Sequence, residues 1–263
     1  MRFSEKLKAR IEASGSRLCV GIDPRPGAGG VGEVPDFLKR LVDETWEHAA
    51  AFKPNMAYFE AMGLEGIAML GDLLKRMPAE VPVILDAKRS DIGETQKYYA
   101  QGYFEHWGVD AVTLNPFLGY DSIEPFLGWE GKGVYLLAVT SNPGSADFQQ
   151  QALADGRRVF ELVTALGDRA ATEGRATDVG YVVGLTNAAG VLAKVPDAPL
   201  LVPGLGAQGG DLAALAAAGR TAPDVINVSR GISQPGDGRG FGECAAHWAS
   251  MIARAYEEAA GKR

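Results

Sequence analysis

Within Leu85-Asp86-Ala87-Lys88-Arg89-Ser90-Asp91 an ammonium stands between two carboxylates, spaced D-x-K-x-x-D. An ammonium held rigidly can stabilise negative charge as it develops on a substrate and then deliver a proton to it. The acids would fix and orient it. The apolar run Val81-Pro82-Val83-Ile84-Leu85 lies immediately upstream and reads as a fully buried parallel strand. Side chains alternate along a strand, so Asp86 and Lys88 share a face at its end. Asp91 follows, just before a helix that opens around Glu94-Thr95-Gln96-Lys97. The competing reading makes the trio a structural ion pair with Asp91 as a helix cap.

Comparable groups recur where other strand-like runs stop. The first ends in Asp23, the second in Lys53-Pro54-Asn55 and the fifth in Thr140-Ser141-Asn142-Pro143-Gly144. The seventh opens into Pro203-Gly204-Leu205-Gly206-Ala207-Gln208-Gly209-Gly210, and the eighth ends Val228-Ser229-Arg230-Gly231. Gly204, Gly206 and Gly209 fit the dinucleotide pattern G-x-G-x-x-G, but that motif belongs after the first strand of a βαβ unit. After a seventh strand, glycines suit a phosphate cup in which backbone N–H groups approach the anion. Arg230 would add a bidentate contact. The alternative is a glycine-rich turn with Arg230 in a surface ion pair. His48, His106 and His247 lie within helical stretches and lack metal-ligand spacing, so packing or surface roles suit them. Tyr98, Tyr99, Tyr103, Phe104 and Trp107 form an aromatic cluster suited to packing or to a subunit interface.

Short β-like runs must position these groups. They span 18–23, 49–53, 81–88, 111–115, 134–141, 179–185, 200–204 and 225–230, with helix-length segments between them. The segments 56–77, 93–107 and 241–259 carry helical periodicity, the last with Phe241, Ala245, Trp248, Ile252 and Tyr256 on one stripe. Strict βα alternation implies right-handed crossovers and an all-parallel sheet. Eight such units in 263 residues suit a single-domain (β/α)8 barrel spanning 1–263, with a helix at about 2–14 before the first strand. A doubly wound sheet is the alternative. Segments 24–35 and 142–155, rich in Gly, Pro and small polar residues, would be long loops on the active face. A net charge of −7 argues against a nucleic-acid partner. No signal-peptide core or membrane-length apolar window occurs, which points to a cytoplasmic protein. Cys19 and Cys244 sit in apolar patterns and read as buried thiols, with no disulfide or thiolate metal site.

Taken together, the chain resembles the orotidine 5′-phosphate decarboxylases, in particular the longer bacterial type (type 2 subfamily). The resemblance spans nearly the whole chain. It rests on Asp86-Ala87-Lys88-Arg89-Ser90-Asp91-Ile92-Gly93 with Thr95, on Phe52-Lys53-Pro54-Asn55 followed by Tyr58-Phe59-Glu60, and on the 140–144 and 203–209 segments. The D-x-K-x-x-D core alone is shared with sister decarboxylases and aldolases. The resemblance implies a homodimeric barrel that forms UMP from orotidine 5′-phosphate without metal or cofactor. Lys88 would protonate C6, and Asp86 would orient it beside the departing carboxylate. Asp23 and Lys53 would contact ribose hydroxyls, and Ser141 the pyrimidine. Gln208 and Arg230 would hold the phosphate, and Pro203, Ser229 and Gly231 would also bind the substrate. Asp91 and Thr95 would reach into the neighbouring subunit's site. The rivals are a Mg²⁺-dependent phosphosugar enzyme of the same superfamily, which would need an acid where Lys53 stands, and a non-catalytic nucleotide-binding barrel.

Overall fold

The computed structural model describes residues 1–205, 212–236 and 238–261. Eight strands alternate with helices along the chain: β1 (Leu18–Ile22), β2 (Ala51–Pro54), β3 (Ile84–Arg89), β4 (Ala111–Leu114), β5 (Gly133–Val139), β6 (Asp178–Val183), β7 (Leu200–Pro203) and β8 (Asp224–Val228). Their order in the sheet is β2-β1-β8-β7-β6-β5-β4-β3, every pairing is parallel, and the isolated bridges Phe52↔Val83 and Asn55↔Asp86 join β3 back to β2. The result is a (β/α)8 barrel.

Strand alternation explains its layers. Residues pointing outward, such as Val20, Phe52, Leu85, Val112, Leu136, Val202 and Ile226, join the helices in the larger apolar core. Inward-pointing Cys19, Ala51, Ile84, Ala111, Tyr135, Val182, Leu201 and Val225 form a second cluster with Phe3 and Leu7. Those last two belong to the helix Phe3–Ser14, which therefore plugs the amino-terminal mouth of the barrel. The plug is tied down by Lys6 to Asp110 at 2.5 Å and by Arg2 to Asp178 at 2.7 Å. With one mouth filled, only the carboxyl ends of the strands remain open for ligands.

Two positions further along each strand, the next inward layer is Gly21, Lys53, Asp86, Thr113, Leu137, Gly184, Pro203 and Asn227. An apolar layer thus supports a layer dominated by polar and small residues.

Some boundaries differ from expectation for local reasons. The stretch 56–77 is two helices, Met56–Glu60 and Gly63–Arg76, because Gly63 adopts φ 67° and turns the chain. The stretch 93–107 is α-helical over Gly93–Ala100 and π-helical over Gln101–His106. Tyr99, Tyr103 and Trp107 lie along it with ring centroids 5.9 and 5.7 Å apart. The 24–35 loop stops early, since the helix Val34–Thr45 takes Pro35 into its first turn, where a missing N–H costs nothing. The last helix runs Phe241–Ala260 and buries Cys244, Ala245, Ala249 and Ile252. Cys19 and Cys244 are both buried, and neither is in a disulfide among the described residues.

Candidate active site

Asp86 is the hub. Its Oδ2 accepts from Lys53 Nζ at 2.7 Å, and its Oδ1 accepts from Lys88 Nζ at 2.5 Å and from Thr113 Oγ1 at 2.9 Å. Thr113 Oγ1 in turn accepts from the Lys88 backbone N–H at 2.9 Å, so one hydroxyl fixes both the acid and the chain that carries the lysine.

Burial separates the two ammonium groups. Lys53 is 5% exposed and Asp86 8%, whereas the Lys88 side chain is 47% exposed and faces the opening. Burial alone would push the Asp86 carboxyl up, but the adjacent Lys53 and Lys88 charges and their hydrogen bonds hold it well below the usual carboxylate range. Burial likewise opposes charge on Lys53, and Asp86 and Asp23 outweigh it, leaving the Lys53 pKa raised. Below them, burial pushes the Cys19 thiol up to about 12, which keeps it neutral.

The strand-face argument for Asp86 and Lys88 reached the right contact, but the geometry is not plain alternation. Lys88 has φ 48°, and the β3–β4 register shifts between Leu85 and Arg89. The strand is therefore breaking as it presents the lysine. A side chain in the left-handed region is strained, and here the strain sits at a charged group facing a cavity.

Two cavities adjoin at this end of the barrel. One, of about 420 Å³, is lined by Lys53, Asp86, Lys88, Thr113, Ser141 and Pro203, among others. The second, of about 290 Å³, is lined by Asp23, Arg25, Tyr58, Ser141, Gly204, Asn227, Ser229, Arg230 and Gly231. Ser141 belongs to both, so together they make one elongated cleft with the ammonium groups at one end and Arg230 at the other. Ser229 Oγ donates to Asp23 Oδ2, and Gly231 is held by the Trp248 indole N–H donating to its carbonyl at 3.0 Å. Arg230 opens the short helix Arg230–Ser233 and lines the second cavity. Arg25 lies on the rim and donates to Tyr58 Oη at 2.7 Å.

The structure thus brings together Asp23, Lys53, Asp86, Lys88, Ser141, Pro203, Ser229, Arg230 and Gly231. Asp91 and Thr95 line neither cavity. Asp91 is not the cap of the following helix: Ile92 holds that position, and the Asp91 carboxylate accepts from the Ile92 N–H at 2.8 Å. Both residues stand next to exposed apolar side chains, Ile92 (64%) and Tyr98 (70%). Gln208, with Gly206 and Gly209, lies outside the described residues. The sequence reading missed Thr113 and Asn227. Each falls two positions after an inward apolar residue, Ala111 and Val225, and that parity was the available signal.

The family model described as the orotidine 5′-phosphate decarboxylase / HUMPS family matches residues 16–241. The orotidine 5′-phosphate decarboxylase of Paracidovorax citrulli is 44% identical over 278 aligned positions, covering 99% of this chain and all of that one. Among solved structures, the Leishmania donovani OMP decarboxylase superposes with a TM-score of 0.85 at 36% identity, over 98% of this chain and 99% of that one. A Toxoplasma gondii crystal structure gives a TM-score of 0.90 at 32% identity, covering 98% of both chains. Agreement in sequence along almost the whole barrel and in fold leads to one assignment: the chain belongs to the orotidine 5′-phosphate decarboxylase / HUMPS family.

Proposed function

We propose that this family member decarboxylates orotidine 5′-phosphate to UMP, the last step in making the pyrimidine nucleotide, and that its own side chains suffice for the reaction. The observation that carries the reading is the Lys53–Asp86–Lys88 array, which shares a cleft with Arg230. The cleft fits a nucleotide laid lengthwise. The phosphate lies against Arg230, Ser229, Gly231 and Gly204, with Gln208 as a further donor. The ribose lies over Asp23 and Lys53, and the pyrimidine lies at Ser141 and Pro203 with C6 toward Lys88.

Cleavage of the bond from C6 to the carboxylate releases CO2 and leaves the electron pair on C6, an sp² carbanion with no carbonyl placed to absorb it. The Lys88 ammonium stabilises that charge and transfers a proton to C6, giving UMP and a neutral amine that solvent reprotonates. Asp86 aims the ammonium. Its carboxylate also lies close to the substrate's own, and their repulsion is relieved as CO2 departs, a secondary contribution. Contacts at the phosphate lower the barrier by holding C6 in place, far from where they act.

The active unit is a homodimer in which Asp91 and Thr95 complete the partner's ribose site, a role supported by their position outside their own cleft beside exposed Ile92 and Tyr98. The whole of 1–263 acts as one barrel domain in the cytoplasm, and no helix among the described residues is long and apolar enough to cross a membrane. A Mg²⁺-dependent phosphosugar enzyme is the second reading, since the family description spans HUMPS members as well. Against it, an ammonium at the end of β2 would repel a divalent ion where an acidic ligand is needed. The discriminating experiment follows orotidine 5′-phosphate loss by ultraviolet absorbance after exhaustive EDTA treatment. Turnover should persist, and strict dependence on added Mg²⁺ would favour the second reading.

A further inference from the structure

We infer that Asn227 is a substrate-positioning residue that accepts a hydrogen bond from a sugar hydroxyl and thereby contributes to selection of ribose; the identity of the sugar rests on the decarboxylase reading above. Asn227 lies in β8, two residues after Val225 of the inner apolar layer, opposite Cys19 on β1 and Pro203 on β7. Its strand neighbours Ile226 and Val228 face the outer core. The Asn227 Oδ1 is buried and has no hydrogen-bond partner among the described residues. Asp23 Oδ1 is in the same condition, while its other oxygen is taken by Ser229. Both residues line the cavity that holds Arg230.

A buried acceptor with no donor is unfavourable, and an aliphatic side chain would fill the same place without that cost. Two such acceptors in one cavity define the chemistry of what completes them: a pair of donors. Phosphate offers acceptors alone, and the reacting edge of the pyrimidine lies toward Lys88. The donor-rich part of the nucleotide is the vicinal diol of its sugar. Backbone geometry is built to admit this arrangement. A Cβ on Gly21 would lie 2.8 Å from Ser229 Cβ and 3.0 Å from Asn227 Oδ1, so the bare backbone of β1 makes room for the polar residues of β8 beside Asp23.

The test compares wild type, Asn227→Ala and Asn227→Val on orotidine 5′-phosphate and on its 2′-deoxy and 3′-deoxy analogues, with melting temperatures measured alongside. Both variants should lose about tenfold in kcat/KM on the natural substrate, mainly through KM. That loss should disappear on one of the two deoxy analogues, because the partner hydroxyl is already missing there. Asn227→Val should melt no lower than wild type. An equal loss on all three substrates, or a lowered melting temperature with kcat/KM unchanged, would overturn the role of Asn227 and leave the decarboxylase reading intact. Failure of the wild type to consume orotidine 5′-phosphate would instead defeat that parent reading, and this inference with it.

Discussion

Lys88 combines a reactive charge with an unfavourable backbone. Lys88→Ala should lower kcat at least about a thousandfold, roughly 4 kcal/mol, since in the proposed mechanism one group both stabilises and protonates the carbanion. Retention of a tenth of wild-type kcat would exclude that role. Because Lys88 sits at φ 48°, Lys88→Gly should be more stable than Lys88→Ala by about 1 kcal/mol, which paired denaturation curves would show. Asp86 differs, because it neutralises a buried lysine. Asp86→Ala should destabilise the fold by about 3–5 kcal/mol at neutral pH by leaving Lys53 buried without its ion-pair partner. Its folded pKa is depressed, so its contribution is present above the unfolded value of about 3.9 and disappears as pH falls through the folded one. The stability gap between wild type and variant should therefore be flat from pH 5 to 8 and narrow only below about pH 4. The charged residues of this site were legible in the sequence because charges at the ends of apolar runs are conspicuous. Thr113 and Asn227 were not, because a neutral polar residue on a strand has no such contrast and only its inward parity marks it.

At the scale of elements, the strands were readable to within a few residues, since β-branched and aliphatic runs between turn signals leave little choice. Two features were not readable. The plug by Phe3 and Leu7 depends on which mouth of the barrel the first helix enters, a tertiary fact that amphipathicity cannot supply. The twist at the end of β3 depends on Thr113, which lies on another strand. In the proposed reading, the segments that follow β7 and β8 carry the phosphate end of the site. Arg230→Ala should lower kcat/KM for orotidine 5′-phosphate by roughly 2–5 kcal/mol, the range for removing one member of a desolvated charge pair. It should scarcely alter the far slower reaction of orotidine, which lacks the phosphate. Equal losses on both substrates would place Arg230 outside the phosphate site.

For the whole molecule, the proposed role of Asp91 and Thr95 in the partner's site would make catalysis a property of two chains. Inactive Lys88→Ala and inactive Asp91→Ala proteins, mixed and allowed to exchange, should recover about a quarter of wild-type activity per total site. Half of the dimers are then mixed, and each contains one site assembled from two unmutated halves. No recovery, with exchange verified by native mass spectrometry, would mean that Asp91 serves its own subunit. The seam of the barrel has a different consequence. Among the described residues, β2 and β3 are joined by the isolated bridges Phe52↔Val83 and Asn55↔Asp86, and the Lys53–Asp86 ion pair crosses the same gap. Local openings begin where pairing is thin. The Phe52 amide, which donates across the seam to Pro82 at 2.9 Å, should exchange its hydrogen with solvent sooner than amides in the long β5–β6 ladder. A nucleotide touching both lysines would fasten the two edges together, so the occupied enzyme should exchange that amide more slowly and keep its barrel shut along that seam.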